Sequence, residues 1–160
     1  FMVMGQIAAR EEFGLSAETL WFDPAALQYA EEVEAHSREL WKVYQRAQYE
    51  QTQAVLEREG IAEVRVRRGV IVDPTGPNGD PYVHVPGDTV EVQLQPLSSF
   101  STSKTVAERF SDKYIFEGTV PRDRIVSMLG TGQGTQYERE WVILGDLDEW
   151  RLRTLPNMMR

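Results

Sequence analysis

The chain has 160 residues, 41% hydrophobic and 26% charged, which suits one soluble globular domain with a sizeable core. A net charge of −8 argues against broad binding to nucleic-acid backbone, and the lack of cysteine excludes disulfides, thiolate metal sites and thiol nucleophiles. Only His36 and His84 supply imidazoles, so the expectation is no metal; no window approaches a membrane span and nothing reads as a signal peptide.

The chain begins at Phe1, which fits a piece of a longer protein. Leu15 to Phe22 reads as a short helix starting at Ser16. Asp23-Pro24 is a second helix start, a capping side chain followed by proline in the first turn. From there Leu27, Ala30, Val33, Leu40, Trp41, Tyr44, Ala47, Val55 and Leu56 recur at helical spacing up to Gly60. One helix of that length would be unusual, so a break is expected near Arg46 to Glu50. After Gly60 the period becomes two: Val64, Val66, Arg68 and Val70 alternate with Arg65, Arg67 and Gly69, as in a strand. Residues 73–87 hold four prolines and three glycines and read as a long loop or irregular hairpin. Thr89 to Leu94 and Ser99 to Ser103 read as strands, Lys104 to Phe110 as a helical turn, and Tyr114 to Val120 as a strand ended by Pro121. A short apolar run, Ile125 to Met128, precedes the loop Gly130 to Gly134, and Glu138 to Leu144 is a final strand. The expected organisation is a helical part (residues 1–60) integrated with a β-rich core (61–160). Its class is α+β rather than doubly wound α/β.

Three groups of residues invite a chemical reading. In the last strand, alternation sets Glu138, Glu140, Val142 and Leu144 on one face. Two carboxylates at the edge of an apolar surface can divide acid–base and cation-stabilising work, or simply mark a strand entrance in solvent. In Ser98-Ser-Phe-Ser-Thr-Ser103, Ser101 and Ser103 share a face opposite Phe100 and Thr102. Their hydroxyls can orient a carboxylate or carboxamide, or cap a helix, for which Thr105 with Glu108, or Ser103, has the spacing. In Arg67-Arg68-Gly69, Arg68 faces with Val64 and Val66. Its guanidinium can fork onto a phosphate while Gly69 admits a ligand to the backbone; the alternative is an arginine snorkelling at a strand end. The Gly130 to Gly134 loop has no following helix, so a dinucleotide-fold reading fails. His84 reads as a loop residue, and Trp21 and Trp41 as core.

Taken in order, Arg-Gly at a strand end, Phe-Ser-Thr-Ser, then a Gly-rich loop running into Glu-x-Glu resembles the arginine, serine and glutamate group of mono-ADP-ribosyltransferases. That group includes bacterial binary toxins and vertebrate ecto-enzymes. Gln51-Thr-Gln-Ala-Val-Leu through Arg68-Gly69, and Leu97-Ser-Ser-Phe-Ser-Thr-Ser, are also similar to domains attached to head-morphogenesis proteins of tailed phages. The resemblance spans residues 40–146. It implies N-terminal helices packed on two short, roughly perpendicular antiparallel or mixed sheets. It also implies NAD as co-substrate and a protein arginine as acceptor, while the charge and hydropathy argue for no general nucleic-acid or membrane partner. The setting would be a secreted or injected toxin or a phage particle.

The resemblance also implies roles. Arg68, with Gly69, would hold the NAD phosphates, although Arg67 stands where relatives often carry an aromatic and keeps its claim. Ser101 would brace Glu140 and the nicotinamide end of the site, with Thr102 and Ser103 also among the residues that bind NAD. Glu140 would take the ribose 2′-hydroxyl and stabilise the oxocarbenium-like state, and Glu138 would orient and deprotonate the acceptor. Tyr137 would serve acceptor recognition from the loop before it. Phe110 or Tyr114 would stack on nicotinamide. A glutamate at position 138 goes with arginine acceptors. The competing readings are an NAD glycohydrolase, with water as acceptor, and a non-catalytic phage or toxin module that keeps the fold.

Overall fold

A computed structural model describes residues 3–16, 22–70, 87, 89–111, 114–131 and 140–154. The predicted helix from Ser16 lies largely outside these residues. The loop at 73–87 with His84, the Gly-rich segment from 132 and the residues Tyr137 and Glu138 also lie outside them, apart from Gly87.

Three helices lead the chain: α1 (Val3–Glu12), α2 (Pro24–Val33) and α3 (Arg38–Arg58). Asp23 caps α2 as expected, its carboxylate accepting from the Ala25 N–H at 3.2 Å. The break, however, falls at a 3₁₀ turn, Ala35–Ser37, and not at Arg46 to Glu50. Side chains divert the backbone at that turn: the Ser37 hydroxyl donates to the Glu34 carbonyl at 2.7 Å, and His36 Nδ1 lies 3.1 Å from the Val33 carbonyl. The expected break site is instead pinned to α1. Gln45 donates to the Gly5 carbonyl at 2.8 Å and Arg46 pairs with Glu12 at 2.8 Å. Helix α1 packs through Met4 and Ile7 together with small residues: Gly5, Ala8 and Ala9 are buried, and Trp41 comes within 3.7 Å of a Cβ built on Gly5.

The rest is β1 (Glu63–Val70), β2 (Thr89–Gln93), β3 (Leu97–Ser101), α4 (Lys104–Arg109), β4 (Tyr114–Pro121), β5 (Ile125–Ser127), β6 (Glu140–Leu144) and β7 (Leu147–Thr154). Every pairing is antiparallel, and the class is α+β. The expected pair of separate sheets is not what forms. There is one seven-stranded sheet, in the order β2-β7-β4-β1-β3-β6-β5. Its two halves are joined by a single pair of residues between β1 and β3, Arg67 and Ser101.

The sheet curls so that its halves face each other. Phe100 on β3 and Trp150 on β7 stack with ring centroids 4.7 Å apart, although three strand spacings, about 14 Å, separate them along a flat sheet. Arg124, just before β5, forks onto Asp148 of β7 at 2.6 and 2.7 Å across five spacings. One apolar core fills the fold, with Leu56, Val66, Ile125, Ile143 and Leu152 fully enclosed. A second cluster (Ala9, Leu97, Val126, Val142 and Leu144) binds the helices to the outer side of β3, β5 and β6.

Where β3 has parted from β1, a side chain of α1 supplies its backbone partner. Buried Gln6 accepts from the Leu97 N–H at 2.7 Å and donates to the Leu97 carbonyl at 2.9 Å. Gln6→Ala strands both groups and is expected to cost about 2–4 kcal/mol, measurable by urea denaturation. An unchanged midpoint would mean that water replaces the glutamine.

Candidate active site

The junction of β1 and β3 opens into a cleft of about 380 Å³ lined by Arg67, Arg68, Gly69, Ser99, Phe100, Ser101 and Glu140, with Val106, Ala107 and Phe110 of the α4 region as its other wall. Antiparallel register explains why these residues meet. Ser101 stands opposite Arg67 on one side and Glu140 on the other, so the three form one row across β1, β3 and β6. Glu140 shares its face with Val142 and Leu144, as alternation predicts, and sits half-buried where that apolar strip reaches the cleft.

The hydroxyl that holds Glu140 is that of Ser99, which donates to Oε1. Ser99 was not singled out from the sequence, although it lies two residues before Ser101 and therefore on the same face. The Ser101 oxygen accepts from the Ser103 N–H at 3.0 Å. Thr102 and Ser103 are not among the residues lining the cleft. The Thr102 carbonyl accepts from Arg67 Nη1 at 2.8 Å, and Ser103 caps α4 by accepting from the Val106 N–H at 3.4 Å. Ser103 is thus the cap, and Thr105 lies inside the helix.

The two arginines part company. Arg67 is tied down: Nε donates to Glu117 at 2.8 Å, and Nη1 to Thr102. Arg68 has no carboxylate partner among the described residues, and its guanidinium carbon lies 5.7 Å from the Phe100 ring centroid. Its side chain reaches solvent, yet protein crowds the guanidinium enough that desolvation lowers its pKa. A cation on a cleft wall with no carboxylate partner among the described residues favours an anionic ligand.

Gly69 lines the cleft and also has a packing reason to be glycine. A Cβ there would lie 2.3 Å from the Ala107 carbonyl oxygen and 2.8 Å from the Phe110 carbonyl carbon, so its bareness admits the end of α4. Gly69→Ala is expected to push α4 off β1, cost about 1–3 kcal/mol and move Phe110 at the cleft rim. Thermal unfolding and Phe110 side-chain NMR shifts read this; a variant matching wild type in both would return Gly69 to a ligand-contact role. Phe110 is 50% exposed and faces the cleft, whereas Tyr114 packs against the main core, so only the former is available to a ligand in this cleft.

Glu117 is the other residue that sequence reasoning passed over. It is 8% exposed and accepts from Arg65 at 2.5 Å, Arg67 at 2.8 Å and Arg153 at 3.3 Å. Its signal is a carboxylate within the apolar run Ile115-Phe116-Glu117, which becomes readable only when register sets it opposite Arg67. Among the described residues no cluster of histidines and carboxylates is placed to hold a metal ion, and no helix is long and apolar enough to cross a membrane. Comparison with protein families, curated proteins and solved structures found no match to this chain.

Proposed function

We propose that this chain is a mono-ADP-ribosyltransferase that cleaves NAD and transfers ADP-ribose to an arginine of a protein acceptor. The observation that carries the reading is the cleft itself. Arg68, which has no carboxylate partner among the described residues, and a Ser99-held Glu140 line the same space, with Phe110 at its rim. A cleft in the range of small-molecule sites, roughly 300–1,000 Å³, has room for the nicotinamide end of NAD.

In this reading Arg68 takes a phosphate of NAD and Phe110 offers a face to the nicotinamide ring. The Glu140 carboxylate accepts from the ribose 2′-hydroxyl. As the bond between C1′ and the nicotinamide nitrogen breaks, its electron pair leaves with the ring and neutralises the pyridinium. Positive charge develops at C1′ beside the carboxylate, which stabilises it. A guanidine nitrogen of the acceptor then attacks C1′ and gives up its proton to Glu138. The choice of arginine as acceptor rests on Glu138 and the sequence resemblance.

The test is NAD labelled in its adenylate half, mixed with the chain and an arginine-rich acceptor protein. Nicotinamide release and label on arginine are both expected. Arg68→Ala is expected to raise KM for NAD by about 10- to 100-fold, the loss of one charge-assisted contact. Arg67→Ala acts chiefly on stability. No nicotinamide release by the folded wild-type chain sinks the reading.

A further inference from the structure

Among the described residues no element packs on the outer face of α3, and the character of that face specifies what it meets. Leu40, Val43, Tyr44 and Ala47 fall on the side turned away from α1 and the sheet, at the three- and four-residue spacing of a helix-packing seam, and Ala54 follows on the same side seven residues on. Leu40 and Val43 are 71% and 69% exposed, large apolar side chains left in water, and a hollow of about 330 Å³ opens beside Leu40, Trp41 and Tyr44. Ala47 and Ala54 further along leave room for a second backbone to approach closely. Such a stripe along a single helix marks a contact surface rather than ordinary surface scatter.

Charge decides the occupant. Glu39, Glu50 and Glu57, at spacings of eleven and seven, run along one edge of the stripe. The cations of the helix are already engaged: Arg38 and Lys42 with Glu11, Arg46 with Glu12 and Arg58 with Glu59. Glu50 and Glu57 have no cationic partner among the described residues. A second copy of a chain with net charge −8 would bring the same carboxylates against them. We infer that the α3 face binds an amphipathic helix of a partner protein whose apolar seam is flanked by lysine or arginine. In that complex the partner's cations lie along the Glu50 and Glu57 edge while its apolar residues cover Leu40 and Val43. The inference does not depend on NAD chemistry.

The test uses the whole chain and two synthetic 21-residue helical peptides with one leucine seam, flanked by lysine in one and by glutamate in the other. Calorimetric titration is expected to show the lysine peptide binding at least tenfold more tightly than the glutamate peptide, and more weakly as salt rises. Leu40→Ser with Val43→Ser, and separately Glu50→Lys with Glu57→Lys, are each expected to weaken the lysine peptide at least tenfold. All four positions are exposed, so circular dichroism should show the fold unchanged. Absence of lysine-peptide binding, equal affinity for both peptides, or insensitivity to either pair of substitutions overturns the proposal. So does sedimentation showing a dimer of the free chain that Leu40→Ser with Val43→Ser abolishes.

Discussion

Glu140→Gln is expected to reduce nicotinamide release from NAD by at least about 10²–10³-fold while leaving the thermal midpoint close to wild type. The amide has nearly the shape of the carboxylate and can still meet the Ser99 hydroxyl, so packing at the end of β6 survives. In the proposed reaction, what disappears is the negative charge that stabilises C1′ as the ribose becomes cationic. Ser99→Ala should cost less, about tenfold, because it frees the carboxylate to rotate without removing it. Nicotinamide release followed by chromatography, with unfolding measured on the same preparations, gives both numbers. Release by Glu140→Gln at more than a tenth of the wild-type rate would mean that another group stabilises the cation, or that the cleft serves a different ligand.

The sequence carried the parts of this site that depend on alternation alone. The shared face of Glu140, Val142 and Leu144 follows from the pleat of one strand, and so does the facing of Arg68 with Val66. What one strand cannot reveal is which row of its neighbour it meets. Ser99 as the partner of Glu140, and Glu117 as the partner of Arg67, are consequences of register between strands far apart in the chain. The role of Gly69 depends likewise on the end of α4 arriving against β1. The resemblance implies two sheets; the Arg67 and Ser101 pair between β1 and β3 makes them one, and no local pattern distinguishes one pair from none. Helix α1 stayed hidden because its buried face is mostly glycine, alanine and a glutamine, residues with little hydrophobic contrast. The final strand is β7 and not the one that ends at Leu144; it alternates Trp150 and Leu152 with Arg151 and Arg153, by the same rule as β1.

Glu117 carries the second large effect, and its sign with pH follows from its surroundings. Burial alone would raise its pKa; hydrogen bonds and charge from Arg65 and Arg67 outweigh that and hold the carboxyl below the ordinary carboxylate value. A carboxyl depressed in the folded state stabilises fully above its unfolded pKa, and the contribution is lost as pH falls through the folded value. Stability should therefore decline on the acid side, and Glu117→Gln should flatten that limb in denaturation series run from neutral pH downwards. At neutral pH the substitution is expected to cost about 3 kcal/mol, the lower end for breaking a buried pair, since Arg65 and Arg153 are 58% and 47% exposed and can turn to water. For a chain of this size that lowers Tm by about 6–12 °C. Arg67, at 19% exposed, has no such exit. It stands in the same row as Ser101 and Glu140, two strand spacings or about 10 Å from the latter, within reach of a long side chain. Freed from Glu117, it is expected to swing towards Glu140 and neutralise the charge that the proposed reaction needs. Activity should then fall beyond what unfolding explains, and Arg67→Met in the Glu117→Gln background should restore part of it. A double variant no more active than Glu117→Gln would confine Glu117 to stability.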